Sequence, residues 1–264
     1  MKVHSLMIYP VKSLAGIQVQ AFELDDFGPV GDRRWMIIDN DRHFVTQRKM
    51  PSLARVTTRV INNQIDVNIP GKGTFTLTAT DEVLPALVWR DWVQAQVGEA
   101  SANEALSQFC GQPMRFVYMP QTTFRRVDAT RVSDLRRVSF ADGFPLLITN
   151  LASLEELNGR LQSPVEMRRF RPNIVIEGAE PWAEDHWREL VIGTSRLNLV
   201  KPCFRCVMTT VDPDTGIKDI STQPLKMLAG YRRTDGGVVF GMNAIHETSG
   251  RITVGDTATV NITE

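Results

Sequence analysis

The residues best placed to do chemistry lie in KPCFRCVMTTVDPDTG, residues 201–216. Two of the chain's three cysteines, Cys203 and Cys206, sit there as C-x-x-C, with Arg205 directly before the second. Such a pair serves structural zinc, dithiol exchange or thiolate ligation of another metal. Structural zinc needs four ligands, and the four histidines, His4, His43, His186 and His246, are scattered singly. A dithiol catalyst wants its cysteines at a helix N-terminus, where the dipole lowers the thiol pKa. The run after Cys206, Val-Met-Thr-Thr-Val, reads as strand and predicts no such helix. An arginine beside a thiol favours the thiolate, so Arg205 suits Cys206 to an anionic metal complex that brings most of its own ligands. Two cysteines simply packed in a barrel are the alternative. Asp212-Pro213-Asp214-Thr215-Gly216 predicts a tight turn after them.

The elements that must position this stretch are mainly strands. Period-two alternation dominates. Hairpins are expected in RRWMIIDNDRHFVTQR, turning at Asp39-Asn40-Asp41, and in ARVTTRVINNQIDVNI, turning at Asn62-Asn63. TFTLTAT and ALVWRDWVQAQV add further strands. SANEALSQFCG reads as a helix with a Ser101/Glu104 capping box, stopped by Gly111, and Cys110 belongs to its apolar face. MRFVYMP opens a second series: strand FPLLITN, helix SLEELNGRL with a Ser153/Glu156 capping box, strand PNIVIEG, short helix AEDHWREL and a hairpin around Gly193-Thr194. The end gives two or three strands broken by Gly241, Gly250 and Gly255. Many short strands with few helices imply a mainly β fold of barrel or sandwich type. Two domains are expected, 1–115 and 116–264.

The bulk composition restricts the function. With 264 residues and 42% hydrophobic residues the chain can bury a core. Lys+Arg and Asp+Glu are 30 each, so the formal net charge is zero. That argues against a general nucleic-acid binder, which needs a basic excess, and leaves room for a local anion site. Three cysteines make no disulfide framework and suit a reducing cytoplasm. The start, MKVHSLMIYPVKS, reads as neither secretory signal nor membrane span.

Five ordered motifs resemble the MOSC family, and within it the N-hydroxylate reductases typified by the mitochondrial amidoxime-reducing component and its bacterial relatives. They are YPVKSLAG, GDRRWMIID, SFADGFPLLITNLASLEELN with RRFRPNIVIEG, KPCFRCVMTTVDPDTG, and FGMNAI with the final VGD. The resemblance implies an N-terminal β domain followed by a MOSC barrel, and a molybdenum cofactor held in the cleft between them. It implies Cys206 as the metal ligand, with Cys203 a supporting residue. A soft thiolate suits a metal already held by sulfurs. Lys12, Ser13 and Arg33, beside Asp32, are the implied phosphate seat. Arg171 and Asn173 are implied contacts too. Alternation puts both on one face, since Pro172 favours extended backbone at Arg171. Thr149, Asn150 and Ser153 lie at a strand-to-helix junction, a natural anion site, where Ser153 also reads as a helix cap. Asn243 and Arg205 complete the set. Arg34, Arg168 and Arg169 are expected in solvent.

The implied activity is reduction of N-hydroxylated small molecules by N–O cleavage. No acid/base dyad is evident. The alternative is a cofactor or sulfur carrier with a persulfide at Cys206, and a further one is a protein binding only an anion. Some bacterial relatives carry a cysteine-rich ferredoxin-like domain after the barrel, and no such cysteines follow here. Two readings are open: a separate electron-donor protein (ferredoxin-like or flavin reductase), or a longer chain of which this is a part. No nucleic-acid or membrane partner is expected. The arginine-rich stretch Arg125 to Arg137 reads as a solvated surface, interleaved by Asp128 and Asp134.

Overall fold

A computed structural model describes residues 1–261. The fold is mostly β, in several sheets with few helices, as the alternation implied. A nine-stranded sheet forms the larger part. Its path runs Ala258–Asn261, Glu189–Ile192, Ser195–Phe204, Gly237–His246, Leu146–Asn150, Ile174–Glu177, Lys2–Ile8 and Ile17–Val19, with Arg233–Thr234 paired to Gly237–His246. Only the Leu146–Asn150 and Ile174–Glu177 pair is parallel, and helix α2, Leu151–Arg160, supplies the crossover such a pair needs. The expected barrel is realised as a curled sheet rather than one unbroken ladder. Its rim is joined where Val3 N–H bonds the Asp256 carbonyl at 2.9 Å and Gly255 N–H bonds that of Val3 at 2.8 Å. The curl encloses an apolar core that includes Leu6, Ile148, Ile174, Leu190, Leu197 and Ala244, each at most 1% exposed.

A second sheet joins Trp35–Ile38, Arg115–Tyr118, Asp91–Gly98 and Ala79–Val88. Helix α1, Ala100–Cys110, packs with the meander Thr57–Ile61, Gln64–Ile69 and Gly73–Leu77 around Leu53, Val67 and Leu106. Arg115–Tyr118 thus pairs with the early strand Trp35–Ile38, and Lys2–Ile8 pairs with Ile174–Glu177. Each half of the chain lends a strand to the other's surroundings.

Local signals were mostly legible. Asn62 and Asn63 turn their hairpin with φ of 49° and 63°, the left-handed pair that a type I′ turn demands. Gly111 ends α1 at φ 70°. The capping boxes are absent. The N-cap of α1 is Glu99, without a side-chain bond, and that of α2 is Asn150, whose side chain accepts from Ala152 N–H. Gly241 does not break its strand. It sits within Gly237–His246 at φ 77°, where an added Cβ would stand 2.7 Å from the Ile148 carbonyl. The run after Cys206 is a 3₁₀ turn, Val207–Thr210, not a strand. The Asp212 turn forms as expected, its carboxylate accepting from Asp214 N–H, Thr215 N–H and the Thr215 hydroxyl.

Candidate functional site

A cleft of about 1080 Å³ is lined from both halves of the chain. It brings together Lys12, Ser13, Arg33, Arg171, Asn173, Arg205, Cys206 and Asn243 among the residues singled out in the sequence. Thr149, Asn150 and Ser153 do not reach it. All three are fully buried, Thr149 and Asn150 at the end of their strand and Ser153 in the first turn of α2. The Thr149 hydroxyl contacts the Met167 sulfur, Asn150 caps α2 and donates to the Glu180 carbonyl, and the Ser153 hydroxyl donates to Glu184 while accepting from Trp182 N–H. That junction is a structural knot in which the side chains of Asn150 and Ser153 are already bonded.

Tyr9 organises the inner wall. Its ring lies between two guanidinium groups, Arg33 at 4.3 Å and Arg171 at 4.1 Å from the centroid. Asp32 fixes the assembly: one carboxylate oxygen accepts from Tyr9 N–H at 2.8 Å, the other from Arg33 at 2.5 Å. Burial raises the Asp32 carboxyl and the Arg33 cation opposes it. Asn173 is tied into the scaffold. Its Oδ1 accepts from Arg33 and from Leu147 N–H, and its Nδ2 donates to the Met7 carbonyl. Arg33 also donates to the Arg171 carbonyl, and Arg171 to that of Leu14. Burial lowers the Arg171 guanidinium to about 10 and raises Tyr9 to about 12.

Three of these residues hold left-handed backbone: Ser13 at φ 69°, Arg33 at 48° and Arg171 at 57°. Non-glycine residues rarely sit there, and such strain gathers at functional sites. Arg171 was expected to be extended before Pro172. Instead it terminates the 3₁₀ turn Met167–Arg169, its N–H reaching the Arg168 carbonyl at 3.2 Å, and turn closure overrides the proline's preference.

The cysteines are asymmetric in a way the sequence did not reveal. Arg205 points back to Cys203, its Nη1 2.8 Å from that sulfur, while its Nη2 donates to the Phe170 carbonyl. The cation at Cys206 is Arg48, whose Nε lies 3.2 Å from the sulfur. Arg48 lies 158 positions earlier in the chain, in a loop with no motif of its own, and only the tertiary fold brings it there. Its guanidinium stacks over Trp89 at 4.7 Å and approaches Asp142 at 3.8 Å. Among the described residues no three of His, Cys, Asp and Glu are grouped to hold a metal ion. Cys110 packs at the end of α1, where burial pushes its thiol up to about 11.

Although the chain is neutral overall, the cleft is not. Lys12, Arg33, Arg48, Arg90, Arg125, Arg126, Arg169, Arg171, Lys201 and Arg205 line it, against Asp91, Asp128 and Asp142. Such focusing of one sign of charge in a concave site concentrates anions. Arg169, expected in solvent, is one of these wall residues. Arg34, also expected in solvent, is buried under Phe27 at 4.0 Å and donates to the Met119 carbonyl. Arg168 remains partly exposed, paired with Glu166 and Asp214. Lys12 is buried and already engaged, donating to the Phe140 carbonyl at 2.7 Å and to Asp142 at 2.5 Å. Burial lowers its ammonium to about 8 in spite of Asp142. Asn243 leans on the carbonyls of Lys201 and Pro202. Two buried donors of the wall, Arg169 Nη1 and Arg205 Nε, have no partner among the described residues. Unpaired buried donors, a surplus of guanidinium groups and a half-buried sulfur fit an anionic ligand that carries a thiophilic metal.

Comparison with known proteins gives the lineage. Residues 1–113 match the MOSC N-terminal beta barrel domain and residues 135–259 the MOSC domain. The mitochondrial amidoxime reducing component 2 of Rattus norvegicus is 36% identical over 96% of this chain and 81% of its own length. The mitochondrial amidoxime-reducing component 1 of Homo sapiens is 34% identical over 96% and 81%. The molybdenum cofactor sulfurase of Oryza sativa subsp. japonica is 30% identical over 90% of this chain but only 32% of its own length. With both domains matched in order and relatives this similar over nearly the whole length, the chain belongs to the MOSC family that includes the amidoxime-reducing components.

Proposed function

We propose that this protein binds the molybdenum cofactor and reduces N-hydroxylated compounds. The observation that carries the reading is the half-buried Cys206 sulfur beside Arg48, in a cleft where guanidinium groups outnumber carboxylates. Its similarity to the amidoxime-reducing components supports it. Bound there, the cofactor would supply a two-electron redox centre able to take the oxygen of an N–O bond. Cys206 would ligate its metal, with Arg48 stabilising the thiolate. Arg171, Arg205 and Arg169 would hold its phosphate and pterin groups, and Arg33, fixed by Asp32, would add a further fork. Ser13 and Asn173 keep that wall in shape. Lys12, beside Asp142, holds a proton at Nζ on the cleft wall, a pair invisible in the sequence because 130 residues separate its members. Per turnover, an N–OH group takes up two electrons and two protons, the N–O bond breaks, and N–H and water leave.

The electrons come from a separate protein, ferredoxin-like or a flavin reductase, and a reducing compartment such as the cytoplasm suits the three free cysteines. No helix among the described residues is long and apolar enough to cross a membrane. The similarity to a cofactor sulfurase favours one other reading, a carrier that holds the cofactor or a persulfide at Cys206 without N–O chemistry. Reduction of benzamidoxime by molybdenum-loaded protein with reduced methyl viologen separates the two. Turnover that disappears in Cys206→Ala supports the reductase. Full molybdenum occupancy without turnover leaves the carrier.

A further inference from the structure

The cations of the cleft divide into two groups. Arg33 and Arg171 enclose Tyr9, and Arg205 stacks near Phe170, on the side of the two cysteines. Arg90 and Arg126 stand apart. An ion pair at 2.8 Å between Asp91 and Arg125 clasps the hairpin Ala79–Val88/Asp91–Gly98 to the loop that follows Met119. Arg90 and Arg126 are the chain neighbours of that clasp, one on each side of it, and both line the cleft. Among the described residues neither has a carboxylate partner. Asp91 is held by Arg125, Asp142 by Lys12 and Arg48, and Asp128 by Lys201. Arg126 makes one bond, to the Ser133 carbonyl. Next to Arg90, Trp89 is 40% exposed and holds left-handed backbone at the hairpin turn. Its ring carries the Arg48 guanidinium that touches the Cys206 sulfur. The contacts therefore run from Cys206 through Arg48 to the Trp89 ring, which also meets Phe44 at 5.1 Å, and Arg90 follows Trp89 in the hairpin turn on the same cleft.

Resting on the reductase reading, we propose that this outer lip is a substrate subsite, and that the preferred substrates are N-hydroxylated compounds with a planar body and an oxyanionic tail. The tail is a carboxylate or phosphate taken by Arg90 and Arg126, and the exposed part of Trp89, the rest of which is held by Arg48, Phe44 and Asp142, borders the body. Guanidinium groups without a carboxylate partner, on a lip that also bears a partly exposed aromatic side chain, recognise that combination by charge-assisted hydrogen bonds and apolar contact. The cofactor's own anionic groups fall to the inner cations, so the outer pair is left for the substrate.

The test uses molybdenum-loaded protein with reduced methyl viologen, so no protein donor competes for the lip. kcat/KM is measured for benzamidoxime, 4-carboxybenzamidoxime and 4-(carboxymethoxy)benzamidoxime, in wild type and in Arg90→Gln/Arg126→Gln. The expected result is a preference of about tenfold for a carboxylate-bearing amidoxime, the worth of one contact between charged groups. That preference shrinks with added salt, falls to about onefold in the double variant and returns in Arg90→Lys/Arg126→Lys. Equal kcat/KM for charged and neutral amidoximes in wild type overturns the proposal, as does a preference that survives the double variant. A double variant impaired toward all three substrates with a protein donor, yet unchanged in preference with viologen, assigns the arginines to donor docking and also overturns it. If loaded wild type fails to reduce benzamidoxime itself, the reductase reading has failed and this proposal falls with it.

Discussion

Glu184 lies in the short turn Ala183–His186, fully buried against α2. One carboxylate oxygen accepts the Ser153 hydroxyl at 2.8 Å, and the other has no partner among the described residues. Burial raises the carboxyl from 4.5 to about 7. Below pH 4.5 the group is protonated in both folded and unfolded chains and has no effect on the balance. Between 4.5 and about 7 the unfolded chain ionises while the folded one stays protonated, so stability falls as pH rises, and above about 7 the loss is complete. The interval is worth roughly 3 kcal/mol. Glu184→Gln keeps the shape and removes the titration. Urea denaturation of both proteins from pH 5 to 8 should show the variant gaining on wild type with pH, by most of that amount at pH 8. A pH-independent effect of the amide shifts the whole curve and leaves the difference in slope. Parallel curves would mean that Glu184 is not a buried, raised carboxyl, and would remove the placement of Ser153 in a structural knot rather than at the cofactor.

Tyr9→Leu, which removes the ring between Arg33 and Arg171, should lower stability by roughly 2–4 kcal/mol, whereas Tyr9→Phe, which loses only a 3.5 Å contact to the Met7 sulfur, should stay within about 1 kcal/mol; denaturant midpoints decide between them. Gly16→Ala would put a Cβ 2.4 Å from the Tyr9 ring, so it should destabilise by roughly 1–3 kcal/mol and reduce molybdenum per chain, measured by metal analysis after purification. Arg48→Ala should reduce benzamidoxime turnover by about tenfold or more, in line with loss of a charge-assisted contact, with an unchanged melting curve; full turnover would show that Arg48 does not serve Cys206.

What the sequence disclosed was local. The asparagine pair at 62–63, the glycine after α1 and the Asp212 turn are written in neighbouring residues, and each was read directly. The strands were legible because burial imposes period two on them. What stayed hidden was long-range. Arg48 reaches Cys206 from a loop 158 positions earlier, and Lys12 meets Asp142 across the chain, so no window of sequence holds either pair. Arg205 was assigned to the nearer cysteine in sequence, and its side chain turned to the other because Phe170's carbonyl lies on that side. Arg34 and Arg169 looked like solvent charges, since alternation gives a face but not what lies beyond it. Thr149, Asn150 and Ser153 had the right residue types for an anion site, and buried partners consumed their polar groups.

The proposed function stands on Cys206 as a molybdenum ligand in an anion-binding cleft. X-ray absorption at the molybdenum edge, on loaded wild type and Cys206→Ser, tests it most directly, since a protein thiolate adds a sulfur to those the cofactor brings. One sulfur fewer at the metal is expected in Cys206→Ser, together with loss of benzamidoxime reduction. An identical sulfur count in the two proteins, at equal molybdenum content, would contradict it.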